Sequence, residues 1–160
     1  MCWMCDHPGS TVADFLDVIR GKIAERGWAV QYVEDPQMPF AYTAGMTQYL
    51  LPELLMTNVS PARAARVLNG VAEFLVDGLE LWPGRQVSLP GGLLVEVVEV
   101  DQPDVHLPAA VAIHGPIRAF QLVWADGRGR WPWAADFCDQ KSRQPVLGMR
   151  TPASRGARRC

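Results

Sequence analysis

Two cysteines and a histidine lie within six consecutive residues near the start of the chain. Cys2, Cys5 and His7 belong to the stretch MCWMCDHPGS, in which the cysteines have the C-x2-C spacing. This spacing lets two thiolates bind one metal ion, and an imidazole two residues later can supply a third bond to zinc. The residues leave two alternatives open: a redox or reactive thiol pair, and a chain end that takes no part in a site.

A zinc ion held in this way needs a fourth ligand, for which His106, His114 and Cys138 are the candidates. The two histidines flank LPAAVAI at an even spacing, so they would share one face of an unbroken strand, although Pro108 argues against such a strand. Each histidine has the alternative of an ordinary hydrogen-bonded side chain. A second C-x2-C pair, which marks a zinc ribbon, is missing from the sequence, which therefore predicts half of a zinc motif.

Aromatic and acidic residues in two distant segments form a second candidate site. Glu53 lies between apolar residues in LPELLM, where a buried carboxyl group would be a candidate proton carrier. A strand-end glutamate in water is the alternative. The tryptophans of GRGRWPWA frame a ligand groove or pack their loop onto the core. If the two segments meet, they build the cleft of a small enzyme from six residues: Phe40, Tyr42, Thr43, Glu53, Trp131 and Trp133.

Motifs of the common enzyme classes are missing from the sequence. It contains no G-x-S-x-G, no G-x-x-x-x-G-K, no H-E-x-x-H, and no G-x-G-x-x-G between a strand and a helix. Glu96 and Glu99 in LLVEVVEV do not form a carboxylate pair, because residues three apart in a strand face opposite sides. Common hydrolase, nucleotide-binding and metalloprotease activities therefore have no support.

The composition predicts one globular domain. The chain has 160 residues, of which 49% are hydrophobic and 20% charged, and no apolar run approaches the roughly 18 residues that cross a bilayer. Its four cysteines are too few and too unevenly spaced for the disulfide framework of a small secreted protein. We therefore expect a cytoplasmic protein without a membrane partner.

The charge is unevenly distributed along the chain. Residues 1–149 contain 11 basic and 17 acidic residues, whereas residues 150–160 add four arginines and no acid. The acidic body, taken as one domain, argues against nucleic-acid binding through a basic face. Residues 150–160 are rich in Arg, Pro, Ser and Gly and predict a disordered basic tail, with contact to a polyanion or a protein partner as the alternative.

The periodicity predicts an α+β domain in which two main helices pack on a mostly antiparallel sheet. The first helix lies between Thr11, which can form a capping box with Asp14, and Gly27, which can end it. Ser60 can cap the second, with Pro61 in its first turn. About six strands are predicted from the segments WAVQYV, PFAYTAGM, LPELLMTN, RQVSL, LLVEVVEV, VHLPAAVAIHG and RAFQLVWAD.

Several of these segments together resemble a known family. MCWMCDHPGST, GWAVQYVE, PFAYTAGMT, LPELLMTNVSPARAARVLNGVA, LLVEVVEV, GRGRWPWA and QPVLG are similar to the bacterial domain-of-unknown-function family 4262, notably its actinobacterial branch, over residues 1–148. The resemblance implies a soluble bacterial α+β protein and brings no activity with it. It also implies that the Cys-x-x-Cys pair is more general than His7, and that relatives often carry a glycine near Leu50.

The sequence favours a small module that binds a metal ion, with zinc the expected metal, or a protein partner, through Cys2, Cys5 and His7. The alternative is the small enzyme with the cleft described above, whose small-molecule ligand the sequence does not identify. A homodimer formed through an exposed aromatic patch is a third hypothesis.

Overall fold

The strands form one six-stranded sheet in the order β1-β2-β3-β6-β5-β4, in a computed structural model that describes residues 3–137 and 144–151. All neighbouring strands run antiparallel except β3 and β6, which are parallel. The strands are β1 (Ala29–Val33), β2 (Phe40–Ala44), β3 (Glu53–Thr57), β4 (Gln86–Ser88), β5 (Leu94–Glu99) and β6 (Ala119–Trp124). The helices are α1 (Trp3–Asp6), α2 (Val12–Arg26), α3 (Pro61–Val76), α4 (Pro103–His106) and α5 (Pro108–His114), with a 3-10 turn at Met46–Tyr49.

The two long helices begin where the sequence predicts, and the first also ends there. The Thr11 hydroxyl accepts from the Asp14 N–H, and the Thr11 N–H donates to the Asp14 carboxylate at 2.7 Å, so the capping box before α2 is confirmed. Gly27 ends this helix in the left-handed region with φ of 92°. Ser60 caps α3, and Pro61 occupies its first turn, where the N–H that proline lacks would have no partner within the helix.

The helices cover both faces of the sheet. On one face, α3 buries Val67, Leu68 and Val71 against alternate residues of β3, β5 and β6. On the other face, Ile19 of α2 and Ala110 of α5 pack against β1, β2 and β3. The α+β class, the single sheet and its mainly antiparallel pairing are therefore confirmed, with three short helices in addition to the two main ones. None of the helices in the described residues is long and apolar enough to cross a bilayer.

The segment VHLPAAVAIHG is not a strand, contrary to the prediction. It forms α4 and α5, and Pro103 and Pro108 stand in the first turns of these helices. The Tyr42 hydroxyl accepts from the Ala109 N–H at 3.2 Å, which caps α5 in place of a capping side chain at Leu107. His106 and His114 consequently lie in separate helices and share no strand face.

Residues 144–150 form a strap that crosses the sheet on the face opposite α3. The Gln144 side chain pairs with both the N–H and the carbonyl of Trp124, at 2.9 and 2.8 Å. The Pro145 carbonyl accepts from Thr57 and Gln121 at 2.7 Å. A Cβ at Gly148 would overlap the carbonyl oxygen of Glu99, so only glycine fits there. These contacts give the motif QPVLG a structural role.

Candidate functional site

The residues of the predicted zinc site lie at the start of the chain, where α1 rests on α2. The Trp3 ring is 5.7 Å from Phe15 of α2, and His7 stacks on Trp3 at 4.3 Å. The His7 Nδ1 atom lies 2.8 Å from the carbonyl oxygen of Trp3. Because a carbonyl only accepts, Nδ1 is the donor of this hydrogen bond, and in a neutral ring the lone pair then lies on Nε2. Cys5 and His7 are both exposed.

The other predicted zinc ligands are not brought to one place. Cys2 and Cys138 lie outside the described residues, and His106 and His114 belong to α4 and α5. Within residues 3–137 and 144–151, no three His, Cys, Asp or Glu side chains are close enough together to hold a metal ion.

Glu53 lies at the start of β3 and is fully buried, so the expectation of a glutamate in water is wrong. Its carboxylate accepts five hydrogen bonds, one from the Thr43 hydroxyl at 2.7 Å and two from the N–H and hydroxyl of Thr47 at 3.0 and 2.8 Å. The N–H groups of Gly45 and Met46 donate the other two at 3.1 and 3.3 Å. These donors lie at the beginning of the 3-10 turn, whose N–H groups have no partner within the turn.

The carboxylate of Glu53 therefore holds the end of β2 and the start of the 3-10 turn in place. Gly45 has φ of 123°, and a Cβ at this position would lie 2.8 Å from the carbonyl oxygen of Gly27. Glycine at this position and threonine at 43 and 47 are thus explained by the local packing. Five donors occupy the carboxylate oxygens, an arrangement that suits a structural anion better than a proton carrier.

The aromatic residues of the predicted cleft form two separate pairs. Phe40 and Tyr42 stack at 6.2 Å beneath α2 and α5, where burial raises the pKa of the Tyr42 hydroxyl above its ordinary value. Trp131 and Trp133 stack at 5.3 Å with their rings 10° from parallel. The guanidinium carbon of Arg150 lies 3.5 Å from the centre of the Trp133 ring.

Arg150, the first residue of the predicted tail, also binds Glu96. Its Nε and Nη2 atoms donate to the two carboxylate oxygens at 2.8 and 3.1 Å. The Glu96 side chain is 1% exposed, so this bidentate pair neutralises a buried charge at the end of the strap. Residues 152–160 of the predicted tail lie outside the described residues.

The predicted cleft residues do not surround a common cavity. Glu53 starts β3, whereas Trp131 and Trp133 follow the end of β6, and these two strands are parallel, so the two groups lie at opposite ends of the sheet. Phe40 and Tyr42 lie in β2, which is three strands from β5, or roughly 14 Å at the usual strand spacing. Trp133 lies near β5, because Arg150 contacts both Trp133 and Glu96 of that strand.

A groove that sequence reasoning missed lies on the α3 face of the sheet and has a volume of about 870 Å³. One wall is α3, and the others are the loop from Leu89 to Leu94 and the loop from Ala125 to Gly129. The two loops lie side by side because Val95 pairs with Trp124 and the Ala125 N–H donates to the Leu94 carbonyl at 2.9 Å. The groove is lined by Arg63, Arg66, Val67, Gly70, Val71, Glu73, Phe74, Leu89, Pro90, Gly91, Gly92, Leu93, Leu94, Ala125, Asp126, Gly127 and Gly129.

Two arginines give one end of this groove a positive charge. Arg63 and Arg66 project from the first half of α3, and in the described part of the chain neither forms an ion pair with an acid. Asp126 lines the same end, but its carboxylate accepts from the N–H groups of Arg128 and Arg130 and from Arg130 Nε at 2.8, 3.0 and 2.9 Å. The charge of Asp126 is thus compensated inside its own loop.

The matched family covers most of the chain. The family model described as a domain of unknown function, DUF4262, matches residues 22–138. The chain belongs to this family. The family resemblance noted from the sequence is confirmed, while the actinobacterial branch stays a prediction. No curated protein and no solved structure matches the chain.

The DUF4262 match contains some candidate sites and not others. Every residue that lines the groove lies within it, as do Glu53 and its donors. Cys2, Cys5 and His7 precede it, and the strap follows it.

Proposed function

We propose that this DUF4262 protein is a small ligand-binding domain whose site is the groove between α3 and the two glycine-containing loops. The volume of about 870 Å³ carries the proposal, since small-molecule sites usually enclose about 300–1,000 Å³. Binding agrees with the class of function expected from the sequence, but the site is a different one.

Gly70 in the middle of α3 supports this proposal. Glycine inside a helix costs about 1 kcal/mol relative to alanine, so an interior glycine usually has a packing reason. At Gly70 an added Cβ would meet no atom within 4 Å, which means that packing does not require glycine here. The missing side chain does keep the groove open, which would offset the lost stability if the groove is occupied in use.

Filling the groove at Gly70 tests the proposal. Nile red, an uncharged dye that fluoresces in apolar sites, is titrated into the wild-type protein and into Gly70→Leu. We expect saturable binding to the wild type and a loss of at least tenfold in affinity in the variant, because the leucine side chain enters the groove. Leucine also favours the helix more than glycine does, so the variant is expected to fold.

Gly21→Leu is the matched control for this experiment. Gly21 lies inside α2, and an added Cβ there also meets nothing within 4 Å, but it lies outside the groove. This control should bind the dye like the wild type. Equal affinities in all three proteins, or no saturable binding to the wild type, would contradict the proposal.

The hydrogen bond of His7 favours a second candidate function, zinc binding at the start of the chain. Metal-binding histidines commonly donate one ring N–H to a carbonyl while the other nitrogen binds the ion, and the bond from His7 Nδ1 to the Trp3 carbonyl has this form. Cys2 and Cys5 would supply the thiolates. Protein purified without chelators should then hold zinc stoichiometrically and lose it in Cys2→Ser/Cys5→Ser, whereas less than about 0.1 ion per chain would eliminate this candidate.

A further inference from the structure

The groove has a charged end and an apolar end, which indicates the kind of ligand that it takes. We propose that it binds an amphiphilic anion, with a carboxylate or phosphate head at Arg63 and Arg66 and an apolar chain extending towards Phe74. This inference rests on the groove being a ligand site at all, and it adds the chemistry of the ligand.

The orientation and the lack of acid partners of the two arginines indicate where the anionic head of the ligand would bind. The guanidinium of Arg63 is placed 5.3 Å from the ring centre of Trp124, which orients it at the wall of the groove. Arg66 is exposed, and within residues 3–137 and 144–151 neither arginine has an acid partner. Arginine binds carboxylate and phosphate groups through two parallel N–H bonds, so a ligand of this kind would supply the missing partner.

The glycine-containing loops provide further donors at the same groove. In the described residues, the N–H groups of Gly91 and Gly127 donate to no other group. An added Cβ at either glycine would meet nothing within 4 Å, so the backbone is open to approach. Accessible backbone N–H groups in glycine-containing turns are well suited to anion oxygens.

The apolar surface at the C-terminal end of α3 indicates where the apolar chain of the ligand would lie. Phe74 is 42% exposed, and beside it a second depression of about 470 Å³ continues the groove. This depression is lined by Phe74, Leu79, Val87, Ser88, Leu89 and Pro90, of which only Ser88 is polar. Arg66 and Phe74 are eight residues apart in the helix, or roughly 12 Å along its axis.

The orientation of the ligand is fixed by charge. Glu73 lines the end of the groove near Phe74 and would repel an anionic head there. Gly70 lies between the two ends and leaves the space through which a chain would pass. A head at the arginines with the chain towards Phe74 therefore satisfies both the charged and the apolar residues of the groove.

The affinities of three probes that share one alkyl chain test the proposal. Nonanoate and octyl phosphate carry an anionic head, whereas 1-octanol does not, and binding is measured by chemical-shift changes of backbone amides. We expect both anions to bind the wild type about tenfold or more tightly than octanol does, which is the usual size of a charge-assisted hydrogen bond. Added salt should weaken the anions and leave octanol unchanged.

Arg66→Gln should remove most of this preference and leave the affinity for octanol unaltered. Arg66 is a cleaner choice than Arg63, whose replacement would also remove the contact with Trp124. Arg26→Gln, on α2 and outside the groove, is the matched control and should keep the full preference.

The possible failures separate this inference from the proposed function. If octanol binds as tightly as the anions while Gly70→Leu abolishes the binding of every probe, the groove is a ligand site but the anionic head is wrong. If Arg66→Gln and Arg26→Gln behave alike, the head does not lie at the arginines, and the inference fails. If none of the three probes binds the wild type while Nile red does so saturably, the inference fails and the proposed function holds; if Nile red does not bind either, both are overturned.

Discussion

Replacing Glu53 by glutamine should destabilise the protein severely, even though the two side chains have almost the same shape. The carboxylate oxygens of Glu53 accept five hydrogen bonds, three on one oxygen and two on the other. An amide can accept on one side only. Its NH2 group would best replace the oxygen that now accepts from the Thr43 hydroxyl and the Met46 N–H. The hydroxyl can rotate, so only one N–H would lose its acceptor there, whereas the other oxygen accepts from two N–H groups.

The size of the effect follows from these contacts. A hydrogen bond to a charged group contributes about 1.5–3 kcal/mol, and a buried donor without an acceptor costs about 1–3 kcal/mol. Removing the charge also relieves the desolvation of a carboxylate that has no Lys or Arg partner in the described residues, which offsets part of the loss. We expect a net loss of about 3 kcal/mol, a large part of the 5–15 kcal/mol that stabilises a typical domain.

Urea unfolding followed by the fluorescence of the six tryptophans measures this loss. Glu99→Gln serves as the control, since within residues 3–137 and 144–151 the Glu99 carboxylate pairs only with Arg118, at 2.9 Å, and both side chains are largely exposed. Such a pair contributes less than about 1 kcal/mol. A Glu53→Gln variant whose free energy of unfolding matches that of Glu99→Gln would refute the structural role of the carboxylate.

Three further changes have defined outcomes. Tyr42→Phe should cost about 1 kcal/mol at pH 7, because the Ala109 N–H loses its acceptor. Burial raises the pKa of Tyr42, so the tyrosine ionises first in the unfolded chain as the pH passes 10, and the free energy of unfolding of the wild type falls there. The urea midpoint should therefore drop less between pH 8 and pH 10.5 in the variant than in the wild type. Arg150→Met should cost about 2 kcal/mol in urea unfolding by leaving Glu96 unpaired, and less than half of that in a Glu96→Gln background. Leu50→Gly should be neutral or stabilising by up to about 1 kcal/mol in thermal unfolding, because Leu50 has φ of 60° and is 96% exposed.

Local patterns were sufficient to predict α2, α3 and the strands of the sheet. Capping residues and apolar spacing act within a few positions, so Thr11, Gly27 and Ser60 determine their helix ends with little help from distant parts of the chain. The segment from Val105 to His114 was misjudged because its apolar residues suit a buried strand and a buried helix alike. The prolines at 103 and 108, each at the start of a helical turn, were the signal that favoured helices.

The groove was beyond the reach of local patterns. Its two loops are adjacent only because β6 inserts between β3 and β5, and this order depends on pairing between residues far apart in the chain. Sequences such as LPGG and DGRG favour turns but do not show which helix the turns face. Likewise, Glu53 could be recognised as buried only once the loop carrying Gly45 and Thr47 had folded back on it.

The strap sets an order of events for the newly made protein. Thr57, Gln121 and Glu96 each find a hydrogen-bonding partner in residues 145–150, which leave the ribosome after every strand of the sheet. Until then the nascent sheet presents these polar groups and the neighbouring apolar surface to solvent. These side chains can therefore obtain these hydrogen-bonding partners only after residues 145–150 have been synthesised.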